Sequence, residues 1–161
     1  MKIFFALCLF WTASTASATS APISIKELSQ LKTLDEKNYD GAAGKNLKLL
    51  YFWATWCPEC KEKMKRPLKE VAANTNYNFL FINTEKDLGL VKNFVEKEQV
   101  PFHVLTDFDK SVRKSLKVFS VPQWVLLKRS GDSFEVLASE SGFDYEKVKS
   151  LVAQALKGSP N

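Results

Sequence analysis

Two cysteines separated by two residues, Cys57 and Cys60, are the side chains of this sequence best suited to chemistry. Residues 49–54 before them are apolar, and the stretch from Lys61 onward is charged and typical of a helix. Because residues three apart on a helix are neighbours, the two sulfurs can reach each other. The helix N-terminus also presents unpaired N–H groups and a partial positive charge to the first sulfur, which stabilises its thiolate. A strand that runs into such a pair predicts a thiol–disulfide site.

The first residues of the chain have the pattern of a targeting segment. A charged start is followed by a short apolar run, residues 3–11, and by a small-x-small cleavage signal at residues 16–18. We predict a signal peptide over residues 1–18, with Thr19 as the first mature residue. Retention of an uncleaved segment in the membrane is the alternative, although the apolar run is too short for a stable span. We therefore expect an exported protein, located in a bacterial periplasm.

Export with cleavage of the signal peptide would leave Cys57 and Cys60 as the one cysteine pair of the mature chain. Cys8 lies inside the apolar run and would leave with the signal peptide. A small exported scaffold held by disulfides has several bridges over longer loops, whereas Cys57 and Cys60 close a very short one. Such a short loop adds little stability through chain entropy. The pair is therefore expected to have a chemical use.

Composition and charge narrow the classes of partner. The chain has 161 residues, of which 45% are apolar and 25% charged, which is ordinary for one globular domain. The net charge of +5 is spread along the chain, and the densest basic run, residues 61–66, contains an acidic residue. Because no aromatic residues alternate with the basic ones, we expect no nucleic-acid partner. No phosphate-binding loop or cluster of metal ligands is visible, so we predict no cofactor and no metal site. We also expect a monomer.

The predicted elements follow an alternating α/β order. A lead over residues 19–46 contains a short helix, which Ser24 caps and which runs to about Leu34. The predicted strands are residues 47–53, 78–83, 102–105, 123–127 and 134–138, and the further helices are 57–74, 88–97, 109–116 and 145–156. Pro67 is expected to bend the helix that starts at Cys57. This order predicts one central mixed β-sheet with helices on both faces, over residues 47–156, followed by a tail over residues 157–161.

Three segments resemble the thioredoxin superfamily, and more narrowly its exported TlpA-type branch, which includes cytochrome c maturation thioredoxins. Residues 52–61, Phe-Trp-Ala-Thr-Trp-Cys-Pro-Glu-Cys-Lys, are similar to the signature F-W-A-x-W-C-x-x-C-K. Residues 102–107 resemble the branch's F-P-V-L-x-D segment, with His103 where proline is usual. Val121-Pro122 stands in the place of the family's cis-proline. The resemblance covers roughly residues 47–156 and implies a thioredoxin-like fold.

The resemblance also implies an activity and a set of roles. The chain is expected to be a thiol–disulfide oxidoreductase that acts on protein disulfides, with Cys57 as the attacking thiolate and Cys60 as the resolving thiol. Trp56, Val121 and Pro122 are expected to contact the substrate chain, with Val121 offering backbone groups to an added strand. A membrane electron donor of the DsbD or CcdA type is implied by the resemblance as well.

The two residues between the cysteines are expected to set the direction of electron flow. Pro58 suits the first helical turn, where its missing N–H costs nothing. Glu59 brings negative charge near Cys57, which disfavours the thiolate and hence the reduced form. A less favoured reduced form makes the protein more reducing, so we expect a reductant.

Three positions depart from the pattern of the family. Tyr51 stands where thioredoxins have a buried Asp, and Lys63 stands where exported relatives often have Glu. The family's helix proline is also displaced by two residues, to Pro67. Glu59 and Glu62 are the nearest carboxylates in the sequence, and the proton acceptor for the second cysteine stays unassigned.

Two other functions are compatible with the same motif. Copper-delivery proteins share this fold and use two cysteines with a histidine, and His103 is the single histidine of this chain. A thiol peroxidase would also use a reactive cysteine. Uptake of Cu(I) by the reduced protein and consumption of peroxide distinguish these two functions from disulfide exchange.

Overall fold

The computed structural model describes residues 21–157, so the predicted signal peptide and residues 158–161 of the predicted tail lie outside the described part. In chain order the elements are β1 (Ile23–Ser24), α1 (Ile25–Leu28), β2 (Lys32–Thr33), β3 (Leu47–Trp53), α2 (Pro58–Lys65), α3 (Pro67–Ala72), β4 (Asn78–Asn83), α4 (Leu88–Lys97), β5 (Val104–Thr106), α5 (Ser111–Ser115), β6 (Gln123–Ser130), β7 (Ser133–Ser141) and α6 (Tyr145–Lys157). None of the helices within these residues is long and apolar enough to cross a membrane.

The seven strands form one mixed sheet in the order β1-β7-β6-β3-β4-β5-β2. β3 lies at its centre, parallel to β4 on one side and antiparallel to β6 on the other. All seven residues of β3 are buried, as expected for a nearly continuous apolar strand that is covered on both faces. The predicted mixed sheet is therefore confirmed, and its central strand is the one that leads to the cysteines.

Two apolar clusters cover the two faces of the sheet. The cluster on the cysteine side contains Tyr51 and Trp53 from β3 together with buried side chains of α2, α3, α4 and α6. The opposite cluster contains Leu50 and Phe52 from β3 with side chains of α1 and α5. Because successive residues of a strand point to opposite faces, residue 51 lies on the cysteine side.

The N-terminal lead contributes both edge strands of the sheet. β1 pairs with β7, and β2 pairs with β5, both antiparallel. The expectation of a helix to Leu34 was wrong, because α1 ends at Leu28 and the chain then pairs with β5. Ser24 caps α1 as predicted, in a capping box with Glu27. Local capping determined where this helix begins, whereas strand pairing of residues 31–33, with β5 and with residues 37–39, accounts for its end.

The helix that follows the cysteines is divided rather than bent. α2 ends at Lys65, Arg66 has a non-ideal backbone (φ −119°, ψ −56°), and Pro67 is the first residue of α3. A proline lacks the N–H that would continue the α2 ladder, but it fits the first turn of a new helix. The expected disturbance at Pro67 is therefore present as a break.

Candidate active site

Cys57 and Cys60 form a disulfide at the start of α2. Their sulfurs are 2.09 Å apart and their Cα atoms 5.3 Å apart. Cys57 is the N-cap residue of α2, and its Sγ accepts a hydrogen bond from the backbone N–H of Cys60 at 3.1 Å. A helix N-terminus favours negative charge on a neighbouring atom. The arrangement can therefore stabilise a thiolate on Cys57 when the disulfide is opened.

The two sulfurs lie beneath more exposed neighbours. Cys60 is fully buried and Cys57 is 3% exposed, whereas Trp56 is 68% exposed. Pro58 occupies the first turn of α2, and both Pro58 and Glu59 are exposed. The disulfide is thus set into the apolar cluster, with an indole and a carboxylate at its rim.

Glu85 fixes the turn that precedes the cysteines. Its carboxylate accepts hydrogen bonds from the backbone N–H of Thr55 at 2.6 Å and from the Thr55 hydroxyl at 2.8 Å. The side-chain amide of Asn83 donates to the same carboxylate at 3.1 Å. Because β3 and β4 are parallel, their carboxyl ends meet at one edge, and this brings Glu85 to the turn. Glu85 was not predicted from the sequence; its place just after the strand parallel to β3 was the available signal.

Tyr51 places a buried hydroxyl behind the disulfide. Its ring stacks on Phe81 (centroids 5.7 Å apart) and meets the edge of Phe143 (5.5 Å), and its hydroxyl has no hydrogen-bond partner. Burial raises the pKa of Tyr51 above its usual value, and the negative charge of Glu59 acts in the same direction. A neutral phenol that is held by aromatic packing therefore occupies the position of the family's acidic residue.

Glu59 lies close to the loop that follows β7. A Cβ atom added to Gly142 would be 3.7 Å from the Glu59 carboxylate, and Gly142 has a positive φ of 78°. The N–H of Gly142 donates to the carbonyl of Pro122 at 2.8 Å. The loop at Gly142 therefore links the rim carboxylate to the proline loop. Glu62 is exposed and Lys63 half-buried, and neither forms a hydrogen bond to the sulfurs.

The Val121–Pro122 peptide bond is cis and precedes β6. Val121 packs against the cluster that contains both cysteines, and it lines one small cavity with Trp56. No backbone hydrogen bond joins Val121 to another residue within 21–157. Of the residues assigned to the site from the sequence, Trp56 to Cys60 are contiguous at the start of α2, and Val121 shares a cavity with Trp56. Gly142 lies between Glu59 and Pro122.

Two further side chains adjoin this group and were not predicted. Phe119 is 87% exposed, and it lines the cavity of Trp56 and Val121 together with Arg113. The sequence signal for Phe119 was an aromatic residue three positions before Pro122, in the loop between α5 and β6. Arg113 lies on α5, and only the tertiary fold brings it there.

The part of the chain that the structure describes contains no group of three or more His, Cys, Asp or Glu side chains arranged to hold a metal ion. His103 is exposed and lies just before β5.

Comparisons with known proteins agree with this geometry. The soluble secreted antigen MPT53 of Mycobacterium tuberculosis is 29% identical over 147 residues, which cover 90% of this chain and 83% of that protein. The sporulation thiol-disulfide oxidoreductase A of Bacillus subtilis is 20% identical and covers 76% of this chain and 77% of its own length. The crystal structure of a secreted M. tuberculosis disulfide oxidoreductase homologous to E. coli DsbE superposes with a TM-score of 0.60, at 27% identity, and covers 80% of this chain and 98% of that one.

A mixed sheet with a Cys-x-x-Cys disulfide at a helix start defines the class of thioredoxin-like thiol–disulfide oxidoreductases. The family model described as Redoxin matches residues 15–154, so the chain belongs to the Redoxin family, within the thioredoxin superfamily. The predicted thioredoxin-like fold and enzyme class are confirmed.

Proposed function

We propose that the protein is an exported reductant that exchanges disulfides with other proteins through Cys57 and Cys60. The observation that carries this proposal is the position of the Cys57 sulfur, which is the N-cap atom of α2 and follows the exposed indole of Trp56 in the chain. The secreted relatives and the N-terminal cleavage signal support export.

Cys57 is the attacking residue in this proposal because the helix N-terminus acts on its sulfur. In the reduced protein its thiolate attacks one sulfur of a substrate disulfide, whose S–S bond breaks, and the released substrate thiolate takes up a proton. The Cys60 thiol then loses its proton and attacks the Cys57 sulfur of the mixed disulfide. The second substrate thiol is released, Cys57–Cys60 is oxidised, and two electrons have passed to the substrate.

The substrate chain is proposed to lie along Trp56, Val121 and Pro122. The free backbone groups of Val121 can pair with an extended segment as an added strand. Exposed Trp56 offers an apolar contact beside the sulfurs. A membrane donor of the DsbD or CcdA type would return electrons to the same disulfide. The protein is proposed to act as a monomer.

Glu59 supports the direction of electron flow. It adds negative charge to the first turn of α2, where the Cys57 thiolate would form. Repulsion between these charges disfavours the reduced protein. We expect a reduction potential nearer to about −270 mV, the thioredoxin value, than to about −120 mV, the DsbA value.

Equilibration of the purified mature protein against a glutathione series measures this potential directly. A value below about −230 mV, the lower end of the glutaredoxin range, supports the reductant, whereas a value above about −180 mV, the isomerase value, contradicts it. Reduction of a protein disulfide such as insulin by the reduced protein, with the Cys57→Ser variant as the control, tests the exchange activity itself.

A further inference from the structure

The surface beside the disulfide exposes two large aromatic side chains. Phe119 is 87% exposed and Trp56 is 68% exposed, and no other large hydrophobic side chain within residues 21–157 is as exposed as these two. The next, Leu90, is 49% exposed and lies on α4. An apolar patch left open to water at a reactive site indicates a binding surface. Neither aromatic side chain is needed to fill the core.

The two aromatic residues line a cavity of about 80 Å³, which we call the aromatic pocket. Its other walls include Val121, Arg113 and Thr84. Val121 belongs to the proposed path of the substrate, so the pocket adjoins that path at Val121. A residue close to the attacked cysteine of a substrate would therefore meet this pocket.

Arg113 gives the aromatic pocket a positive charge. Its backbone N–H donates to the carboxylate of Asp107 at 2.9 Å, but within residues 21–157 no carboxylate forms an ion pair with its guanidinium. Asp107 is buried, and the N–H groups of Val112 and Arg113 satisfy its oxygens. The positive charge of Arg113 acts on the Asp107 carboxylate and opposes the rise that burial causes in its pKa. Because the two groups form no ion pair, the guanidinium can still bind a carboxylate that enters from outside, through two parallel hydrogen bonds.

We propose that the aromatic pocket selects substrates in which an apolar residue and an acidic residue lie next to the cysteine that Cys57 attacks. This inference rests on the proposed function. The occupant is an extended segment of a protein disulfide. The apolar side chain of this segment lies between Trp56 and Phe119, and the carboxylate of its acidic residue pairs with Arg113. Phe119 and Arg113 are then the residues that determine specificity, although neither takes part in the chemical step.

Peptides with a chromogenic leaving thiol test the proposal. Each of four peptides contains a single cysteine, which is present as its mixed disulfide with thionitrobenzoate. In the four peptides this cysteine is preceded by Leu-Glu, Leu-Lys, Ser-Glu or Ser-Lys. The second-order rate constant for release of thionitrobenzoate by the reduced protein is measured for each. We expect the Leu-Glu peptide to react about tenfold faster than the Ser-Lys peptide, a difference of about 1.4 kcal/mol.

Two variants test the apolar part and the charged part of the aromatic pocket one at a time. Phe119→Ser should remove the preference for Leu over Ser, and Arg113→Glu should reverse the preference between Glu and Lys. Leu90→Ser and Lys114→Glu are matched controls, since they make the same kinds of change at exposed positions of α4 and α5 outside the pocket. Both controls should keep the order of the four peptides.

Reaction with a small neutral disulfide, dithiodipyridine, distinguishes a failure of this selectivity proposal from a failure of the proposed disulfide exchange. If the reduced wild-type protein reacts with it but treats all four peptides alike, the selectivity proposal is overturned and disulfide exchange stands. The selectivity proposal is likewise overturned if Phe119→Ser and Arg113→Glu leave the peptide order unchanged. If the reduced protein reacts with neither dithiodipyridine nor any peptide, the proposed function itself fails.

Discussion

At the scale of single residues, Glu59 is the charge that we propose adjusts the potential of the Cys57–Cys60 disulfide. It lies in the first turn of α2 and acts electrostatically on Tyr51 behind the sulfurs. A carboxylate a few ångströms from a thiolate in a partly wet site repels it by about 1 kcal/mol. Removal of this charge should favour the reduced form of the protein.

We expect Glu59→Gln to make the reduction potential less negative by about 20 mV, because 30 mV corresponds to about 1.4 kcal/mol for two electrons. Equilibration against glutathione measures the shift. Glu62→Gln removes the same charge from an exposed position on α2 and should leave the potential unchanged. Equal potentials for Glu59→Gln and the wild type would show that Glu59 does not tune the disulfide.

The buried hydroxyl of Tyr51 leads to a second prediction. It has no partner in the oxidised protein, and an unsatisfied buried polar group costs about 1–3 kcal/mol. Tyr51→Phe should therefore raise the free energy of unfolding of the oxidised protein by about 1 kcal/mol. Urea denaturation measures this change.

Tyr77→Phe is the matched control for that experiment. The hydroxyl of Tyr77 donates to the carbonyl of Val71 at 2.7 Å, so its removal should lower the free energy of unfolding by about 1 kcal/mol. Opposite signs for the two variants are expected. A loss of stability in Tyr51→Phe would mean that its hydroxyl has a partner in solution.

At the scale of elements, the site depends on how β3, β4 and α2 meet. β3 and β4 end at the same edge, and Glu85 after β4 binds the turn between β3 and α2. This contact joins three elements through one carboxylate. It should hold the N-cap geometry of Cys57, on which the stabilisation of the thiolate depends.

We expect Glu85→Ala to lower the free energy of unfolding by about 2 kcal/mol, since it leaves the N–H and hydroxyl of Thr55 without a charged acceptor. It should also slow the reaction of Cys57 with dithiodipyridine. Glu85→Gln keeps an acceptor and should recover part of both losses. Wild-type stability and reactivity in Glu85→Ala would show that Glu85 does not position the site.

The elements also show what the sequence can predict. The bounds of β3, β4 and α4 are those expected, because each is an apolar or amphipathic segment bounded by polar residues. The end of α1 was misjudged because residues 32 and 33 are held as a strand by pairing, with β5 far along the chain and with residues 37 and 38 nearby. Both cysteines and the proline loop could be recognised from local motifs. Glu85 and Arg113 join the site through long-range packing, which a local pattern does not encode.

At the scale of the whole molecule, the face of the sheet opposite the disulfide contains a buried lysine. Lys48 on β3 is fully buried, and its Nζ donates to the carbonyl of Ala43 at 2.6 Å and lies 5.2 Å from the ring centroid of Phe134. Burial lowers the pKa of Lys48 to about 8, and the positive charge of Arg129 acts in the same direction. The charged form is therefore a cost to folding at neutral pH.

Stability should rise with pH between about 8 and 10, because there the unfolded chain binds a proton at Lys48 that the folded chain has lost. Above about pH 10 the sign reverses, because burial raises the pKa values of Tyr39 and Tyr77 to about 12, and only the unfolded chain ionises them.

Urea denaturation as a function of pH measures this dependence of stability on pH. Lys48→Met should abolish the rise, whereas Lys45→Met, at an exposed position, should keep it. A wild-type profile that is flat from pH 8 to 10 would contradict the assignment.

Trapping of the mixed disulfide tests the central claim most directly. In Cys60→Ser the resolving thiol is absent, so a substrate protein that is attacked by Cys57 should remain attached to it. We expect the variant, expressed in an exported form and isolated after acid quenching, to carry proteins that dithiothreitol releases, while Cys57→Ser and the double variant carry none. Peptide mapping should place the linkage at Cys57. Adducts in equal amounts on Cys57→Ser and Cys60→Ser, or on neither, would contradict the assignment of Cys57 as the residue that exchanges disulfides with proteins.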